Sequence, residues 1–136
     1  MKTATKLILF LFLFTSIGCS KYEEGSFFTL RTKKARITNT WIPVKYVYPN
    51  GSSSTNVGEG EITLSKDMTA TWKLMFNNEM YTVPGSWKFI GDKQGINVTV
   101  NVFNFTESQD FEIVKLKSKK LWVRDSDGVV THFEAK

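Results

Sequence analysis

The sequence is poor in the residues on which most small catalytic or cross-linked domains are built. Among 136 residues there is one Cys, Cys19, and one His, His132. A single thiol excludes an intrachain disulfide and any zinc site made of several cysteines. A single imidazole leaves no His cluster for a metal ion and no spare His beside a catalytic triad. Proline is scarce, and no apolar run approaches the roughly 20 residues that a membrane-spanning helix needs. Charged residues make up 23%, with a formal net charge of only +5. They are dispersed along the chain, which presents no basic face for nucleic acid. Aromatic residues are what the chain has in plenty: they reach 14%, with 11 Phe, in a sequence that is 41% hydrophobic. That balance is globular, and the length allows one domain.

Lys2 and Lys6 stand before the apolar run Leu7-Ile8-Leu9-Phe10-Leu11-Phe12-Leu13-Phe14. A positive start followed by so short a run is the pattern of a secretory signal. Ser16-Ile17-Gly18 then leads into Cys19. Together these residues resemble a bacterial lipobox, with Ser16 where Leu is commoner, similar to the looser boxes of Bacteroidota lipoproteins. The resemblance implies a signal peptide over 1–18, cleavage before Cys19, and acylation of that residue with chains such as palmitate. Several acyl chains hold a protein stably on a membrane, whereas one holds it only marginally. Cys19 is thus expected to be the lipid attachment site, with the membrane as partner and the cell envelope as location. The implied surface is the outer membrane, and Ser20-Lys21-Tyr22-Glu23-Glu24 loosely resembles a surface-export signal; periplasmic leaflet and cell surface both stay open. Loss of Lys2 and Lys6 lowers the net charge by two, to +3.

Residues 19–35 read as a tether, with a span of roughly 20–25 Å. Only Ala35–Asn39 suits a turn of helix. From residue 36 to 136 the pattern is all-β. Segments rich in Val, Ile, Thr and aromatics are broken at short intervals by turn residues. The expected strands are Thr40–Tyr48, Gly58–Leu64, Thr69–Phe76, Glu79–Phe89, Ile96–Phe103, Gln109–Leu116, Lys119–Asp125 and Val129–Glu134. Asn77-Asn78 and Asp127-Gly128 tolerate the positive φ that tight hairpins require. Eight such strands joined in order predict an up-and-down antiparallel meander that closes into a small barrel. A sandwich is the alternative, but it needs longer crossovers.

Period-two alternation assigns the faces. Ala70, Trp72, Leu74 and Phe76 share one face, opposite Thr71, Lys73 and Met75. Tyr81, Val83, Trp87 and Phe89 align against Thr82, Ser86 and Lys88. Pro84-Gly85 interrupts that second segment and predicts a bulge, a bend or an edge.

Thr38-Asn39-Thr40-Trp41 is similar to the Gly-x-Trp opening of lipocalins, without its Gly. Gly85-Ser86-Trp87-Lys88-Phe89, Ile96-Asn97-Val98, Phe111–Leu116 and Lys120-Leu121-Trp122-Val123 follow in an order that resembles the short lipocalin-like domains of Bacteroidota lipoproteins. The resemblance covers residues 36–136 and implies a lipocalin-like barrel with a hydrophobic pocket, without defining its ligand.

An eight-stranded barrel has an interior that side chains fill or that holds one small ligand. The candidate ligand-binding residues are Tyr46, Trp72, Leu74, Tyr81, Trp87 and Val100. The favoured function is binding of a small hydrophobic molecule in the cell envelope. The alternative is a filled barrel acting as a protein-interaction module, a subunit of a surface complex or a hydrolase inhibitor, with an apolar patch around Tyr46, Tyr48 and the 49–57 loop. No nucleophile–base pair points to an enzyme, and no cofactor or metal ligand set is evident. Glu59 and Glu61 read as a solvated strand face. Asp125-Ser126-Asp127-Gly128 reads as a hairpin turn without the closing Glu of a calcium loop. Lys115, Lys117, Lys119 and Lys120 crowd one hairpin tip, where charge deters edge pairing. His132 carries no assigned chemistry.

Overall fold

The computed structural model describes residues 23–24 and 32–136. The expected signal peptide, Cys19 and most of the expected tether lie outside the described residues. Thr32 opens the described chain as an N-cap, its hydroxyl accepting the Ala35 N–H at 3.0 Å. The short helix α1 follows at Lys33–Ile37. It begins two residues before the turn of helix expected from the sequence, so Lys33, Lys34 and Ala35, counted with the tether, are helical. The cap explains the shift, because a Thr side chain satisfies a first-turn donor that the apolar pattern does not reveal.

The strands are β1 (Glu23–Glu24), β2 (Thr40–Val47), β3 (Ser53–Ser54), β4 (Gly60–Leu64), β5 (Thr69–Phe76), β6 (Glu79–Ile90), β7 (Gly95–Val102), β8 (Phe105–Leu116), β9 (Lys120–Arg124) and β10 (Val130–Ala135). Eight of them, β2 and β4 to β10, pair antiparallel in chain order, and β10 returns to β2 to close the ring. The fold is the expected closed up-and-down barrel. β3 is a small ribbon on β2, inside a loop expected to be irregular. β1 runs parallel to β8, opposite Lys115 and Leu116. β8 starts at Phe105 rather than Gln109, because Phe103 itself takes φ +53° and the turn closes within two residues. Asn77 and Asn78 adopt φ +51° and +61°, as a tight hairpin demands.

One end of the barrel is plugged. Ile37, Trp41, Leu64, Leu116 and Leu121 are fully buried there. The Trp41 indole donates to the Ile37 carbonyl at 2.8 Å, which seats α1 across the opening. The Lys136 N–H donates to the Thr40 carbonyl at 2.9 Å, so the chain's last residue meets its first barrel strand at this end.

At the other end the wall comes apart. β6 pairs with β5 from Glu79 to Ser86, but β7 joins β6 only from Gly85 onward. β8 pairs with β7 from Phe105, whereas β9 reaches only Glu112 to Leu116. The hairpins β5–β6 and β7–β8 therefore project as separate two-stranded ribbons. Pro84, which has no N–H to give, stands where the pairing of β6 with β7 stops. The sequence expectation of an edge at Pro84-Gly85 is met, within one continuous strand. Gly85 is required for a different reason: a Cβ there would collide with the Thr99 carbonyl oxygen.

Candidate functional site

Residues directly opposite in the register share a face, and the register fixes which faces turn inward. Ile62, Trp72 and Val83 form one inward row, and Trp87, Val98 and Gln109 another. Ile96 and Phe111, then Leu121 and Phe133, continue the lining on the far wall. Of these, Ile62, Trp72, Val98, Gln109 and the far-wall residues line a cavity of about 430 Å³ above the plugged floor. Leu64, Ile96 and Leu121 form its base, while Tyr48, Glu59 and Asp125 stand at the open end. A second hollow of about 200 Å³ adjoins it along Trp72, Val98, Gln109 and Phe111, and adds Val100 and Glu107.

The six candidate ligand residues divide. Tyr46, Trp72 and Leu74 line the main cavity, and Val100 lines the adjoining hollow. Trp87 does not. It is 2% exposed and its indole donates to the Ser65 carbonyl at 2.9 Å, so it belongs to the packed core. Tyr81 lines neither space: its ring is 46% exposed and its hydroxyl donates to Glu79 at 2.9 Å. It points inward by register, but no β7 residue stands beside it to close the wall. Phe111, Val98, Phe133 and Gln109 line the cavity and were not singled out from the sequence. Their signal was present in the period-two pattern, since Gln109 alternates with Phe111 and Ile113.

The apolar patch expected around Tyr46 and Tyr48 lies elsewhere. Both tyrosines line the cavity, and the strongly exposed apolar residues sit on the two projecting ribbons. Phe76 is 64%, Phe105 71% and Phe103 97% exposed. Met80 on the β5–β6 ribbon is also exposed.

Glu61 accepts from Lys136 at 3.0 Å and lies 3.6 Å from Lys73. The Lys136 hydrogen bond chiefly holds its carboxyl below the usual value, against the opposing effect of partial desolvation. Asp125 accepts the backbone N–H groups of Asp127 and Val129, which makes it the organiser of the β9–β10 turn, as expected. Outside the barrel, Lys115, Trp122, His132 and Lys45 stand side by side across four strands. Among the described residues no group of three or more His, Cys, Asp or Glu could hold a metal ion. No helix among them is long and apolar enough to cross a membrane.

No family model matches this sequence, and no curated protein does. Solved structures do share the fold. A lipocalin-like protein from Bacteroides uniformis superposes with a TM-score of 0.63 at 16% identity, over 74% of this chain and 99% of that one. An uncharacterized protein from Bacteroides eggerthii gives 0.61, again at 16% identity, with the same coverage of 74% and 99%. At that identity the likeness concerns architecture, and the architecture is a lipocalin-like barrel.

Proposed function

We propose that this chain is a lipoprotein of the bacterial cell envelope, anchored to the outer membrane through acylated Cys19, whose barrel binds a small hydrophobic molecule without chemical conversion. The observation that carries the binding reading is the apolar cavity of about 430 Å³, floored at one end and open at the other. Its volume falls in the range of about 300–1,000 Å³ typical of small-molecule sites. Its wall is aliphatic and aromatic, with Gln109, Thr131 and Tyr46 as uncharged polar groups. The lipocalin-like fold of the structural neighbours supports the same role.

A neutral apolar dye whose fluorescence rises on leaving water, N-phenyl-1-naphthylamine, tests it. Saturable enhancement with the purified domain is expected. Val98→Trp, which puts an indole between the two hollows, should weaken dye binding at least about 10-fold while the fold is kept. An unsaturable signal with the parent domain, or an unchanged affinity in the variant, overturns the binding reading. It would favour the second reading, a protein-interaction module, for which the exposed Phe76, Phe103 and Phe105 on the ribbons supply the contact residues.

A further inference from the structure

The chain as a whole is cationic, yet its interior surface is not. Among the described residues no Lys, Arg or His lines either hollow; the charged residues there are Glu59, Glu61, Asp125 and Glu107. Two of these are already engaged: Glu61 borders the cavity but its carboxylate shares the outward row of Lys73 and is held by Lys73 and Lys136, and Asp125 is held by its own turn. Glu59 and Glu107 make no ion pair among the described residues. Glu107 lies opposite Val100, on the inward face of the β7–β8 ribbon. The lysines of these strands sit on outward rows: Lys73 pairs with Glu61 and Thr82, Lys88 with Asn97, and Lys45 with His132.

We propose that the cavity selects by charge, taking apolar molecules that end in a cationic or uncharged polar group and rejecting those that end in a carboxylate or phosphate. This inference rests on the binding reading above and adds the ligand class. An anionic head brought into the barrel loses hydration and meets no cation to replace it, which is a heavy penalty. At the rim it meets Glu59 and Glu107 as like charges. An ammonium head pays for dehydration too, but both carboxylates attract it, and their effect grows as water is displaced. An alcohol or amide head has the Gln109 amide and the Tyr46 and Thr131 hydroxyls as hydrogen-bonding partners and carries no charge to desolvate. The arrangement is the reverse of a fatty-acid site, which needs a buried cation for its carboxylate.

The test is a series with one tail and three heads, decylamine, decanol and decanoate, each competing for the bound naphthylamine dye at pH 7 below its micelle concentration. Decylamine should displace the dye at least about 10-fold more effectively than decanoate, with decanol ahead of decanoate. Glu59→Gln combined with Glu107→Gln should bring decylamine and decanoate together, weakening the first and strengthening the second when each is measured against decanol. High salt should narrow the gap in the parent protein. If the dye binds but decanoate matches or beats decylamine, the charge selection is overturned while the binding reading stands. If the double variant leaves the gap unaltered, the rim carboxylates are not its source and the inference falls. If the dye does not bind at all, both readings fall together.

Discussion

Trp122 and His132 stack on the outer wall with ring centroids 3.8 Å apart and planes within 2° of parallel. The Lys115 ammonium lies 4.0 Å from the Trp122 ring centre, a cation–π distance. His132 titrates below its ordinary value of 6.5, first because it is partly buried, then because Lys45, Lys115 and Lys120 repel a further positive charge. Glu134, two residues along the same strand, and the Glu112–Arg124 pair at 2.7 Å in the next row complete the charged surroundings. A histidine whose pKa is depressed by folding binds its proton more readily when unfolded. It therefore costs nothing above about pH 6.5, and its penalty grows as pH falls from there toward the folded value. The urea midpoint of the parent protein is thus expected to drop between pH 7.5 and 5.5 by more than that of His132→Gln. Equal drops in the two proteins would place the acid sensitivity elsewhere.

The strands themselves were largely readable, since turn residues and period-two alternation mark them directly. Trp72 and Leu74 could be placed on an interior face from β5 alone. What alternation does not contain is how far a neighbouring strand runs. Tyr81 shares the inward face of Trp87, but β7 stops pairing at Gly85, so one ring ends in solvent and the other in the core. Gln109 shares a face with Phe111 and Ile113 by alternation, but only its register beside Val98 shows that this face turns into the cavity so far along the strand. The Thr32 cap and the positive φ of Phe103 were equally invisible, because neither residue is a strong signal for the role it takes. Within β6 the demands of packing can be tested on adjacent positions. Trp87→Ala should cost about 3–5 kcal/mol, the usual loss for a buried aromatic. Gly85→Ala should also lower the unfolding midpoint, since its Cβ would displace the β7 backbone at Thr99. Lys88→Ala, on the outward row and next to Trp87 in sequence, should stay within about 0.5 kcal/mol of the parent in the same denaturation series.

For the whole molecule, β1 changes how the proposed anchor holds the barrel. Only three residues separate Cys19 from Glu23, so that the four steps between them reach at most about 14 Å. Because β1 lies against Lys115 and Leu116, that reach is counted from the plugged end rather than from the mouth. The anchor would then keep α1 and the floor near the bilayer. The open end, with its two aromatic-tipped ribbons, is where the described wall leaves room for entry. Cys19→Ala is expected to move the protein from the membrane fraction to the soluble fraction and to abolish incorporation of labelled palmitate, with the domain still folded. Unchanged membrane fractionation and unchanged mature mass would overturn the lipoprotein reading.

The closure of β10 onto β2 also governs the order in which the chain becomes a protein. Ala135 pairs with Trp41, so the seam joins positions separated by almost the entire described sequence. Every hairpin can form as it emerges, yet none of them has an interior to hide its apolar face until the last strand arrives. Such a long-range final contact slows folding and leaves sticky intermediates exposed meanwhile. A chain delivered amino end first thus stays an open, curling sheet until β10 arrives. The cavity is enclosed only when β10 docks along β2.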